Sequence, residues 1–276
     1  MADRALHPAG VVKYGDANGQ RVDDQLAVEE PLEIRVDGSP LTVVMRTPGQ
    51  DRELALGLLF GEGIIRMARD VERITARPNG EHPELENILD CELEPSAPGV
   101  DRRWQRQFVS ASSCGVCGVS TIEAIHQAAP PLPDDGLRIE PQLIYALDQR
   151  LRAEQAVFAR TGGLHAAGLF TIEGEPIVVR EDIGRHNAVD KVIGYGLERG
   201  LLPLEASILM VSGRTSFEIV QKALQARIPV LVAISAPSSL ARDLAQASNQ
   251  TLIGFVRGRS LNVYSGRARI GTGQGK

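Results

Sequence analysis

Cysteine is scarce in this chain, with three residues among 276. That is too few for the disulfide framework that staples small secreted folds, and in a reducing compartment all three stand as thiols available for chemistry. Long apolar runs are missing too. No window approaches the roughly 18 uninterrupted apolar residues of a membrane span. The start, Met1-Ala2-Asp3-Arg4-Ala5-Leu6-His7-Pro8, has no apolar stretch suited to secretion. A cytoplasmic protein without membrane association is expected. Nor is positive charge in excess: the formal net charge is −5, which argues against a general nucleic-acid binder. What is present is a globular mixture, 43% apolar and 24% charged, so a soluble protein of one or two domains is expected. The charge is unevenly placed. From Thr251 to Lys276 run Arg257, Arg259, Arg267, Arg269 and Lys276 without an acid, which is either a local phosphate-binding patch or a solvated basic tail.

Along the chain, the polar residues 1–30 are expected as a partly ordered lead-in. Residues 31–110 read as a β-rich region. Leu32-Glu33-Ile34-Arg35-Val36 and Leu41-Thr42-Val43-Val44-Met45 flank the turn residues Asp37-Gly38, a β-hairpin pattern. Asp51 then caps a helix over residues 53–60, closed by Gly61 and Gly63, and two further strands follow, one containing Ile88, Leu89 and Cys91. Residues 111–276 form a larger unit. Phe108-Val109-Ser110 reads as a strand feeding Ser113-Cys114-Gly115-Val116-Cys117-Gly118, with helical character at 121–126. After the break at Pro130–Gly136, residues 141–160 have the pattern of one amphipathic helix. Strands at 166–170, 176–180, 206–211, 229–234 and 252–256 then alternate with helices at 187–199, 216–226 and 238–247. The alternation predicts a layered α/β domain with a largely parallel central portion.

Ligands of such folds gather in loops beyond the carboxyl ends of strands. Four polar loops fall there: Thr161–His165, Arg180–Asn187, Ser212–Ser216 and Ser235–Ser239. Arg185 and Arg214 could neutralise phosphate, although serines, threonines and glycines in such loops also serve simply as caps and turns. The CxxC at Cys114 and Cys117 admits several chemistries. Zinc would need two more ligands, with Cys91 and His165 or His186 as candidates, but zinc-finger spacing is lacking. Hydrolytic deamination is disfavoured because His165-Ala166-Ala167 lacks the required glutamate and the cysteine pair precedes it. A thioredoxin-like motif would be expected after an early strand of a small domain. A thiolate beside a helix N-terminus could instead accept sulfur as a persulfide, with the second cysteine resolving, protecting or relaying. A glycine-rich turn with no catalytic role is the remaining reading.

These motifs together with Thr161-Gly162-Gly163-Leu164-His165-Ala166-Ala167, Glu181-Asp182-Ile183-Gly184-Arg185-His186-Asn187-Ala188-Val189-Asp190-Lys191 and Ser212-Gly213-Arg214-Thr215-Ser216 resemble the FdhD family of formate dehydrogenase accessory sulfurtransferases. The resemblance spans roughly residues 30–265. It implies a larger three-layer α/β/α domain similar to the cytidine-deaminase fold, beside a smaller β-rich α+β region. It also implies a homodimeric carrier that takes sulfur from a cysteine desulfurase as a persulfide on Cys114, assisted by Cys117. The sulfur would go to the molybdenum cofactor of formate dehydrogenase, the bis(molybdopterin guanine dinucleotide) form, whose guanine-nucleotide moieties would contact Phe255, Val256, Arg257, Gly258, Arg259 and Ser260. No tightly bound structural metal is expected. A non-catalytic cofactor-binding chaperone is the alternative.

Overall fold

The computed structural model describes residues 2–15, 18–78, 80, 86–100 and 130–271. The expected strand at 108–110, Cys114, Cys117, the helical segment at 121–126 and the boundary at residue 111 lie outside the described residues. Residues 1–30, expected as a lead-in, contain an antiparallel hairpin of β1 (Leu6–Lys13) and β2 (Gln20–Ala27), with Leu6 opposite Ala27.

The next hairpin, β3 (Glu30–Val36) and β4 (Ser39–Arg46), turns at Asp37 and Gly38, both at positive φ as a tight two-residue turn demands. Alternation along β3 buries Leu32, Ile34 and Val36 and leaves Glu33 and Arg35 paired on the other face. Helix α1 (Asp51–Gly61) follows. Asp51 is its first residue rather than its cap: Gln50 holds the cap position at φ 55°, and the Asp51 carboxylate is taken by Arg46, 2.9 Å away. The guanidinium outcompetes the helix amides for that carboxylate. Strands β5 (Val71–Arg77) and β6 (Ile88–Leu93) complete a four-stranded sheet of order β4-β3-β6-β5.

The segment expected as one long helix divides. Helix α2 (Pro141–Ala153) begins on a proline and stops, and a separate helical turn occupies Phe158–Thr161. The Glu181 carboxylate, reaching across from the second sheet, accepts from the amides of Val157 and Phe158 at 2.9 and 2.7 Å and so fixes the break. Thereafter come β7 (His165–Thr171), β8 (Pro176–Asp182), α3 (Arg185–Glu198), β9 (Ser207–Val211), α4 (Phe217–Gln225), β10 (Val230–Ala233), α5 (Ser239–Ala247), β11 (Thr251–Arg257) and β12 (Ser260–Ser265). The six-stranded sheet runs β12-β11-β10-β9-β7-β8. Its three central strands, β9 to β11, are parallel as expected, whereas β7, β8 and β12 are antiparallel to their neighbours.

Alternate residues of these strands enter two cores. Ile144, Leu147 and Leu151 of α2 pack with Phe170, Met210, Val232 and Ile253 on one face. On the other, Leu169, Leu209 and Leu231 join apolar residues of α3, α4 and α5 in a core continuous with that of the four-stranded sheet. Continuity comes from α1, which packs along α3. Their crossing is sealed by two glycines: a Cβ at Gly57 would strike the Asp190 carbonyl, and one at Gly194 the Glu53 carbonyl. With no Cβ at either position the two backbones can touch.

Candidate functional site

Strand direction decides where the polar loops go. The parallel strands β9, β10 and β11 end at one edge of the sheet. Strand β7 runs opposite to β9, so its first residue, His165, lies at that edge; β8 runs opposite to β7, so its last residue, Asp182, lies there too. All four loops expected as ligand loops therefore meet at one edge, joined by the turn between β11 and β12. They are also stitched together. Ser212 Oγ accepts from Ala166 N at 2.9 Å, Thr215 N donates to Ala236 O, Ser238 N donates to Thr215 O, and Phe255 N donates to Ser235 O. A Cβ at Gly213 would lie 3.2 Å from His165 Nδ1, so this loop crosses closely over the imidazole.

Several residues of the motif Glu181–Lys191 build this edge rather than face a ligand. Asp182 Oδ1 accepts from Gly184 N at 2.8 Å and Asn187 Nδ2 at 2.9 Å, while Oδ2 accepts from Thr47 N at 3.2 Å and lies 2.7 Å from Lys191 Nζ. Lys191 also donates to the carbonyls of Thr47 and Glu181. This buried post ties the β4–α1 loop to the start of α3. Arg180 makes a two-point pair with Glu53, and Glu181 is occupied by the two amides already named. His186 Nε2 lies 3.0 Å from both Ser216 Oγ and Glu218 Oε2.

What remains uncompensated is cationic. Among the described residues Arg185, Arg214, Arg257 and Arg259 have no carboxylate partner, and Arg185 Nε is buried without an acceptor. Burial, with Arg185, His186 and Arg214 nearby, pushes the His165 imidazolium below its usual range and so favours the neutral ring. Phe255 lies at φ 53°, a conformation strained for a bulky aromatic, at a register shift between Gly254 and Arg257. Its side chain is exposed, as are Arg257, Gly258, Arg259 and Ser260. Val256 is fully buried in the core that faces α2. Phe255 to Arg257 are thus the end of β11 and Ser260 the start of β12, a strand beyond those the sequence pattern predicts.

Cys91 sits apart, buried in β6 between Val36 and Ile74. Burial pushes its thiol up to about 12, so neither nucleophilic nor metal-binding thiolate chemistry suits it. Its position in the four-stranded sheet removes the zinc grouping with His165 or His186.

Beside His165 a cavity of about 370 Å³ opens, lined by Gln155, Phe158, Gly162, Gly163, Ser212 and Ile234 among others. Its glycine loop is one of the four polar loops, whereas Gln155 and Phe158 reach it only through the break after α2.

The FdhD/NarQ family model matches residues 27–271. The chain belongs to the FdhD/NarQ family. It is 48% identical over 264 residues to a sulfur carrier protein FdhD of Streptomyces avermitilis, covering 94% of each chain. It is also 51% identical over 253 residues to one of Mycobacterium tuberculosis, covering 90% of this chain and 92% of that one. The crystal structure of a candidate formate dehydrogenase accessory protein from Desulfotalea psychrophila shares the fold, with a TM-score of 0.78, 24% identity and coverage of 96% of this chain and 99% of that one. No helix among the described residues is long and apolar enough to cross a membrane.

Proposed function

We propose that this FdhD/NarQ protein is a sulfur carrier for formate dehydrogenase maturation, with a persulfide on Cys114 and the molybdenum cofactor as recipient. The observation that carries the reading is the cationic edge: Arg185, Arg214, Arg257 and Arg259 gather where every neighbouring carboxylate is already engaged. Such an edge suits the pyrophosphates of a dinucleotide cofactor. The strained, exposed Phe255 beside it suits an aromatic ligand. The relatives' name, sulfur carrier protein, supports the sulfur chemistry.

In loading, the Cys114 thiolate attacks the outer sulfur of a desulfurase persulfide; a new S–S bond forms and the desulfurase thiolate leaves. In delivery, Cys117 attacks Cys114 Sγ, the outer sulfur departs as hydrosulfide with the bonding electrons and becomes a ligand of the metal, and a cellular dithiol reduces the Cys114–Cys117 disulfide. The test is mass spectrometry of the chain after incubation with a cysteine desulfurase and cysteine. A sulfur adduct on Cys114, absent in Cys114→Ala along with dehydrogenase activation, is expected. Full activation by a Cys114/Cys117 double serine variant would sink the carrier reading in favour of a cofactor-binding chaperone.

A further inference from the structure

Beneath the cationic edge lies a second set of charges. Helices α3 and α4 both start at that edge, and each places one ionisable residue in its first turn and another four positions further on. The first-turn residues, His186 and Glu218, meet at 3.0 Å. One turn deeper, Lys222 Nζ lies 2.6 Å from Asp190 Oδ1. Spacing of i,i+4 stacks the two pairs as rungs about 5.4 Å apart along the helices. Helix α1 closes the stack from the side. A Cβ at Gly61 would lie 2.8 Å from Lys222 Nζ, so its absence lets the ammonium reach the end of α1 beside Glu62.

This stack holds one acid too many. The charged groups facing Glu62 are Lys222 and Glu218 of α4 and Asp190 of α3, three carboxylates in all around a single lysine. Asp190 is committed to Lys222 and Glu218 to His186, which leaves Glu62 as the member to carry a proton. Burial holds its carboxyl up at about 7 against the pull of Lys222, and Asp190 and Glu218 add to the rise. The same groups extend to the edge. His186 shares the neighbourhood of Arg185 and Arg214, all three acting on His165. Glu218 lies against His186 and also acts on both Lys222 and Glu62. An anion placed at the edge adds negative charge above an acid-rich stack and so favours its protonated form.

We propose that anion binding at the sheet edge is coupled to uptake of a proton by Glu62, which makes the grip on a polyphosphate tight below neutrality and weaker above it. The coupling rests on the cofactor reading above and adds its regulation. By linkage, the state that binds the extra proton, here the anion-loaded one, is favoured as pH falls. An anion that raises the Glu62 carboxyl by one unit therefore loses about tenfold in affinity between about pH 6 and about pH 9.

Calorimetric titration of the full chain with inorganic pyrophosphate at about pH 7, in buffers of different ionisation enthalpy, counts the protons taken up. Glu62→Gln keeps the side chain's shape without a titrating proton, so subtracting its count removes the titration of pyrophosphate itself and of the edge histidines. The wild type should take up about 0.4 proton more than Glu62→Gln, the amount a one-unit rise from about 7 requires. It should also lose about tenfold more affinity than the variant across the same pH range. Equal or smaller proton uptake in the wild type, with pyrophosphate bound by both proteins, overturns the coupling and leaves the edge reading intact. Failure of pyrophosphate to bind either protein refutes the edge reading and the coupling with it.

Discussion

Lys191→Met is the sharpest test of how the edge is held. Its ammonium is 2.7 Å from Asp182 Oδ2, and the two side chains are 1% and 0% exposed. Methionine keeps most of the stem's volume but removes the charge. Asp182 would then be a buried carboxylate with donors from Gly184, Asn187 and Thr47 but no counter-ion, and the carbonyls of Thr47 and Glu181 would lose a donor. Breaking a buried pair from one side costs about 3–5 kcal/mol, much of it the uncompensated partner. Urea unfolding followed by far-UV circular dichroism reads the loss. Asp182→Asn in the same background removes the stranded charge, so the double variant should be more stable than the two single losses predict by about 2 kcal/mol. Hydrogen exchange at the Gly184 and Thr47 amides should accelerate in Lys191→Met more than at β10, because the post ties those two loops. A Lys191→Met variant within 1 kcal/mol of wild type, or strict additivity in the double, would refute the reasoning.

Other perturbations bear on separate parts. Gly57→Ala should destabilise by about 3 kcal/mol, at the upper end of overpacking costs, because its Cβ meets the Asp190 carbonyl rather than a side chain that can turn away; thermal melts check it. Cys91 should resist iodoacetamide in the folded chain and react after denaturation, read by peptide mass spectrometry, since its thiol is held up to about 12 by burial. Glu62 is raised from 4.5 to about 7, chiefly by burial and against the pull of Lys222, with Asp190 and Glu218 adding to the rise. The folded state therefore binds the extra proton, and stability should fall as pH rises from about 4.5 to about 7, then level off. Glu62→Gln should flatten that slope, gaining on the order of 2–3 kcal/mol at pH 8 relative to wild type.

The signals legible in the sequence were local ones. Asp37-Gly38 announced its hairpin because few residues tolerate positive φ at both turn positions. The alternation after residue 165 located β7 to β11 and their helices, and chain direction then carried the four loops to one edge. Features set by distant partners were not legible. The helix expected over 141–160 breaks because Glu181, 24 residues from Val157, captures its amide. Asp182 reads as a ligand residue until Thr47, 135 positions away, occupies one of its oxygens. Asp51 reads as a cap until Arg46 claims it. Strand β12 is not legible because a phenylalanine at positive φ, which no propensity favours, helps to turn β11 back.

The charges separate structure from function more clearly than the motifs do. Arg46, Arg180, Lys191, Lys222 and Arg269 each face a carboxylate within 3.0 Å, and all five are at least partly buried. Desolvation requires that pairing, since an unpaired buried charge would outweigh the packing gained. At the sheet edge the rule is broken on one side only: Glu181, Asp182 and Glu218 are engaged, while Arg185 keeps a buried Nε without an acceptor and Arg214, Arg257 and Arg259 stand clear of any acid among the described residues. A fold that pairs its buried cations yet leaves Arg185 Nε without an acceptor, beside the exposed Arg214, Arg257 and Arg259, presents at this edge a surface complementary to an anion.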